Sequence, residues 1–269
     1  MSLVYENISP DRPVFKYKVR PLKAFKHMRK LIADKEDTTQ VFHIIESLNG
    51  STLLNDFEKF LADPRGVAIM KNKTTLAPLL DDHARWAALP KGTVGRAYLH
   101  FMQSQGLTAQ GLIDEYERYG SAFAGFNDGL ECYINRRRDT HDLLHVLTGY
   151  SRDAFGELCV LAFTDGQHKD RGIRFIAYMG GREVKSQAPK GAPIFKAIRT
   201  AQKNGRVAKY IILEDIIALM SEDLEQARTR LGIDSPIYYT QTHAMTREAG
   251  IDPFSVVGSG EGSSNLAAA

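Results

Sequence analysis

The sequence predicts an all-α protein, a single multi-helix bundle domain over about residues 20–235. An extended lead-in over 1–20 precedes it, and a tail over 236–269 follows, disordered in composition from about Gly258. Three observations predict this. Apolar residues recur every three or four positions from Leu22 to Leu231, the period that lines one side of a helix. The breaks between runs carry helix stop and start residues, such as Asn49-Gly50, Gly106, Asp128 and Gly149. The chain contains no GxGxxG, no phosphate-binding P-loop and no GxSxG, the glycine signatures of common α/β enzymes.

Composition bounds the rest. At 269 residues the chain can bury a substantial core, and 43% hydrophobic with 25% charged residues is ordinary for a globular protein. A net charge of +3 is too weak to point to nucleic acid, and none is expected as a partner. The two cysteines, Cys132 and Cys159, form no CxxC pair and suit a reducing compartment. No apolar run is long enough to span a bilayer. The N-terminus lacks a signal-type apolar stretch, and Glu6 and Asp11 argue against an acid-poor transit segment. The expected location is therefore cytoplasmic.

Taken in order, Pro21 is placed as a first-turn proline ahead of Leu22, Phe25, Met28 and Ile32. Lys23, Lys26, Arg29 and Lys30 lie between them, so this basic amphipathic helix can meet an anionic surface. Val41, Ile44, Ile45 and Leu48 form a second helix, and Leu53, Phe57, Phe60 and Leu61 a third. The Asn49-Gly50 corner between them reads as an αα-hairpin, and Asp63-Pro64-Arg65-Gly66 as a turn. Residues 89–95 are a Pro/Gly loop in which Thr93 caps the helix through Tyr98 and Met102. Leu112, Ile113, Tyr116 and Tyr119 mark another helical run.

Asn127 or Asp128 opens the next helix, whose stripe continues from Leu130 through Arg137, His141, Leu144 and His145 to Leu147. Ser151 is expected to cap the helix that follows, with a polar turn at 165–168. Arg174 to Met179 fits either strand or helix, with Gly180-Gly181 after it. Asn204-Gly205 closes a helix from Ile194, and one long helix runs from Val207 to Leu231.

The stretch with chemistry is His141-Asp142-Leu143-Leu144-His145, with Glu157 after eleven intervening residues. Positions i and i+4 share a helix face, so both imidazoles reach one point from the inward stripe of their helix. Asp142 is rotated by about 100° and joins that point only at the helix edge. A short helix–turn–helix returns Glu157 alongside. Two histidines with carboxylates suit Zn, Fe or Mn better than Ca. A buried imidazole also needs a partner, and a metal supplies one. Asp142 stands either as a ligand or as a base beside the ligands. His27, His43 and His83 read as helix-surface residues, and His168 and His243 as loop residues.

These residues resemble the Coq4 proteins of ubiquinone biosynthesis, which carry HDxxH, eleven residues and Glu. Other pieces match in order over about 20–233: Asp63 to Gly66, Leu89 to Arg96 with Tyr98-Leu99, Arg138, Asn204 to Arg206, and Arg228 to Ile233. The chain departs from the pattern over 165–192 and at Met220-Ser221. The resemblance implies a metal held by His141, Asp142, His145 and Glu157, usually zinc, with Mg, Fe or Mn as alternatives. It implies a polyprenyl-tailed quinone precursor as ligand, housed in an interhelical lipid-binding cavity, and C1 decarboxylation of a polyprenylated 4-hydroxybenzoate-type ring, coupled to hydroxylation. Arg137 or Arg138, one turn ahead of the motif, would bind the carboxylate; periodicity favours the first and the resemblance the second. Other quinone-synthesis enzymes, a second copy of the chain and the inner face of the cytoplasmic membrane are the implied partners. The rival readings are a non-catalytic prenyl-lipid scaffold and a metallohydrolase, the latter lacking both a longer acid at 142 and a further spaced histidine.

Overall fold

The helical period of the sequence is what the chain adopts. The computed structural model describes residues 6–9, 18–34, 37, 39–72, 75–111, 113–114 and 125–254. Among them every named element is a helix, and the one β-bridge, Thr93 to Asp223, belongs to no strand. In chain order the elements are α1 (Pro21–Ala33), α2 (Thr39–Leu48), α3 (Thr52–Leu61), α4 (Pro64–Asn72), α5 (Ala77–Leu80), α6 (His83–Ala87) and α7 (Val94–Gln105). Then come α8 (Gly129–Asp139), α9 (His141–Thr148), α10 (Ala154–His168), α11 (Arg171–Gln187) and α12 (Ile194–Val207). A 3-10 turn (Ile211–Leu213), α13 (Ile216–Met220), α14 (Leu224–Leu231) and α15 (Ile237–Glu248) complete the chain.

Helix α10 is the hub, packed chiefly on α12 and α11. Its contact with α12 is made backbone to backbone. A Cβ on Gly166 would run into the backbone of Gln202, Gly205 and Arg206, and one on Gly205 into the backbone of Phe163. Both glycines read from sequence as punctuation, a polar turn at 165–168 and a cap after Asn204, yet both lie inside helices where two axes come close. The Gly180-Gly181 pair likewise sits inside α11, against Leu158 and Ile198, which settles the 174–179 stretch as helix. Asp165 needs no turn to satisfy it. Although 1% exposed, it takes Nε and Nη2 of Arg174 at 2.9 and 3.0 Å, together with Gln202.

The main core gathers Trp86, Tyr98, Met102, Leu143, Leu147, Phe163 and Ile198. Trp86 donates its indole N–H to the Leu80 carbonyl at 2.9 Å, so its large ring is buried without an orphan donor. A smaller core collects Phe57, Phe60, Leu130 and Tyr133.

Several sequence boundaries move, each for a local reason. The stripe from Leu130 to Leu147 is two helices, because the Thr140 hydroxyl bonds back to the Arg136 and Arg137 carbonyls and breaks the run. Asp153, not Ser151, caps α10, accepting from the Phe155 and Gly156 amides at 3.1 Å. The expected helix over 207–231 is a 3-10 turn and two short helices, since Asp215 and Asp223 each cap a new start. The Asn49-Gly50 corner is present, with Gly50 left-handed, but the extensive packing of α2 is on α1. A further helix, α15, forms beyond 235, where the apolar pattern had faded. His168 and His243 lie buried in α10 and α15, not in loops. Leu112, Tyr116, Tyr119, most of the lead-in and the tail from 255 lie outside the described residues.

Glycine to alanine within a helix gains about 1 kcal/mol of propensity. At Gly205 the added methyl meets backbone that cannot rotate away, and overpacking costs about 1–3 kcal/mol or more. Gly205→Ala should therefore lower the unfolding free energy by about 2 kcal/mol in urea denaturation, despite its better propensity.

Candidate metal centre

Helix α9 presents His141 and His145 one turn apart, with ring centroids 5.2 Å apart and nearly perpendicular. Gly149 then turns the chain in a left-handed conformation, and Asp153 starts α10 so that Glu157 comes back beside them. The Arg228 guanidinium fixes the end of α9, donating to the Val146 and Leu147 carbonyls at 2.9 Å each. The ligand atoms of His141, His145 and Glu157 all lie within 4.8 Å of one another. His141 Nε2 is 3.2 Å from Glu157 Oε1, and His145 Nε2 is 3.1 Å from Glu157 Oε2.

One atom tests whether this set fits a metal. His145 Nδ1 lies 2.9 Å from the Tyr150 carbonyl, which can only accept, so the ring proton sits on Nδ1. Nε2 is then the ring nitrogen left to face the cluster, fully buried, without a properly directed hydrogen bond and 3.1 Å from a Glu157 oxygen. The Glu157 carboxylate and this nitrogen can be satisfied together only by a cation they share, a proton or a metal ion. A histidine that gives its other N–H to a backbone carbonyl is the usual arrangement of a metal ligand. The His145 ring also stacks on Phe101 at 5.2 Å, which fixes its plane.

Electrostatics agree with the geometry. Burial would lower the His141 imidazole, but the Glu157 carboxylate outweighs it and holds His141 up at about 9. Burial would raise Glu157, and the two histidines hold it well below the usual carboxylate range.

Three of the four expected ligands are thus brought together. Asp142 is buried on the side of α9, and its carboxylate is not among the converging atoms. Arg137 pairs with Asp170 at 3.2 Å, and Asp170 in turn caps α11. Arg138 pairs with Asp139 at 2.8 Å and with Asn135. Neither arginine joins the cluster. Sequence reading missed Tyr150, whose part is played by its carbonyl, and Asp153, which the N-cap preference alone would have offered.

The family model described as coenzyme Q (ubiquinone) biosynthesis protein Coq4 matches residues 22–236. The chain belongs to the Coq4 family. Among the curated relatives, the bovine ubiquinone biosynthesis protein COQ4 homolog is 28% identical over 65% of this chain and 63% of its own length. The human homolog is 26% identical over 66% and 64%, and the Pyricularia oryzae protein 27% over 71% and 61%. The match therefore spans less than two-thirds of these Coq4 relatives. A crystal structure of a protein named for ubiquinone biosynthesis, from Nostoc punctiforme, shares the fold with a TM-score of 0.58 at 20% identity, covering 80% of this chain and 99% of that one. These relatives overturn the cytoplasmic expectation, with its inner face of the cytoplasmic membrane, because the bovine, human and Pyricularia Coq4 proteins are all named as mitochondrial. Among the described residues no helix is long and apolar enough to cross a membrane.

Two outcomes follow. Without metal, the His141–Glu157 pair stabilises the fold in full between about 4.5 and 6.5, the ordinary values of the two groups, and the histidine share is lost as pH rises through about 9. Zinc replaces that proton, so zinc affinity should climb over the same window, and the loaded protein should not show this loss. Melting temperature against pH, with and without zinc, checks both. Separately, Arg137→Ala leaves the buried Asp170 without its cation and should cost about 3 kcal/mol in urea unfolding.

Proposed function

We propose that this chain acts in ubiquinone biosynthesis by removing the C1 carboxyl of a polyprenylated 4-hydroxybenzoate-type ring, coupled to hydroxylation, at a divalent metal held by His141, His145 and Glu157. The observation that carries the reading is the convergence of these three side chains around the buried His145 Nε2. Zinc is the first choice for two imidazoles and a carboxylate. When bound, it supplies Lewis acidity toward the charge that builds on the ring oxygens.

The chain's own residues do the rest. Tyr150 holds the His145 tautomer through its carbonyl, and Phe101 holds the ring plane. His145 is sealed in, whereas His141 and Glu157 keep 25% and 34% of their side chains exposed, so substrate reaches the centre from their side. Of the two arginines the family resemblance favours Arg138 for the carboxylate, although each already has an aspartate partner, Asp139 for Arg138 and Asp170 for Arg137.

For the prenyl tail, an apolar groove of about 510 Å³ is lined by Val19, Leu48, Phe175, Tyr178 and Met179, with Arg171 and Arg174. It is open to solvent, unlike the interhelical cavity expected from sequence, and its size falls in the usual range of ligand sites. Beside it, α1 exposes Leu22 and Phe25 among Lys23, Lys26 and Arg29, a composition suited to a membrane surface. The same reading includes contact with other quinone-synthesis enzymes and with a second copy of the chain.

The test is carbon dioxide release from the prenylated acid, with the oxidant supplied, alongside metal analysis. His145→Ala and Glu157→Gln should lose bound zinc and reduce release by about 10³-fold or more, the several kcal/mol that such an ion contributes. Full release from metal-free Glu157→Gln would overturn the reading. Quinone synthesis that persists in cells carrying a folded Glu157→Gln protein would leave the scaffold role in its place.

A further inference from the structure

We propose that Tyr239, on α15, is a positioning residue for the metal centre, acting through the turn between its two ligand-bearing helices; this rests on the reading of His141, His145 and Glu157 as metal ligands. The phenol hydroxyl donates to Asp153 Oδ2 and accepts from the Ser151 amide at 3.1 Å. The other carboxylate oxygen of Asp153 takes the Phe155 and Gly156 amides, and His243 Nε2 lies 3.3 Å from it. The Asp153 carbonyl accepts from the Glu157 amide at 2.9 Å, so Asp153 starts the turn that aims Glu157.

The ring of Tyr239 meets Tyr150 edge-on at 5.4 Å and Phe155 at 5.6 Å. Tyr150 is the residue whose carbonyl holds His145. One side chain therefore braces the carbonyl behind one ligand and the helix cap behind another. Asp153 is fully buried, and the phenol hydroxyl is the donor to its Oδ2, an oxygen that burial would otherwise leave unpaired. A phenylalanine would fill the same space as Tyr239, so the hydroxyl itself serves only Ser151 and Asp153. The turn has no slack to absorb a shift, since a Cβ on Gly156 would collide with the Ser151 carbonyl. Helix α15 begins at 237, just past the residues matched by the family model, so family membership gives Tyr239 no role.

The experiment is zinc affinity of the full-length protein, by competition with a chromophoric chelator at fixed pH, with melting temperature recorded in parallel. Tyr239→Phe should weaken zinc binding about 10- to 100-fold, the range for partners that orient metal ligands. Ile237→Ala, an exposed position on the same helix, should bind as the wild type does. A Tyr239→Phe protein that melts lower yet binds zinc as tightly as wild type overturns the proposal, since its role is then structural alone. Should that variant fail to fold, His243→Gln carries the test, with threefold or greater weakening expected and unchanged affinity overturning the proposal. His141→Ala separates the two failures: zinc binding that survives it defeats the metal reading itself, and Tyr239's role falls with it.

Discussion

His145 Nε2 and Glu157 Oε2, held 3.1 Å apart with the nitrogen fully buried, are the constraint to which the polar end of this bundle answers. With Nδ1 committed to the Tyr150 carbonyl, Nε2 and the carboxylate are both satisfied by a cation they share. Everything nearby holds the pair in place. Phe101 stacks on the imidazole, Arg228 ties down the end of α9, and Gly149 with Asp153 folds α10 back.

That arrangement needs α10 to be rigid, and the glycine contact supplies rigidity. Gly166 and Gly205 let α10 and α12 meet at backbone distance, where sliding or rotation would force carbonyls together. The buried Asp165, held by Arg174 and Gln202, pins the same helix to both α11 and α12. The ligand end of α10 thus projects from its most firmly held part. A carboxylate on a mobile loop could swing toward solvent, whereas Glu157 is held beside both histidines.

How much of this was legible depends on where the information lies. The helical class and most caps are local, so Thr93, Asp128, Gly106 and Gly149 could be read directly. The metal set could be read because two ligands share a helix face and the third follows after one short turn. Gly166 and Gly205 could not, since a glycine that ends a helix and one that admits another helix look alike in one dimension. Tyr239 was hidden for the same reason, its bond to Asp153 joining positions 86 residues apart. The break at Thr140 was hidden because a threonine in a helical pattern shows its hydroxyl bond only once the carbonyls are placed. The cytoplasmic expectation rested on the first residues and on two cysteines, and neither carries an address that outweighs the mitochondrial naming of the relatives.

The graded burial of the three ligands carries the last step. His145 is sealed, His141 is a quarter exposed and Glu157 a third, so the centre is closed on one side and open on the other. A purely structural metal site is usually closed on all sides, with four protein ligands and no room for another. Three converging side chains, without Asp142 among them, leave room on the exposed side. The asymmetry favours a centre built to meet a ligand over one built only to hold two helices together, and a closed hydrophobic contact between α9 and α10 would have joined them without burying a ring nitrogen beside a carboxylate.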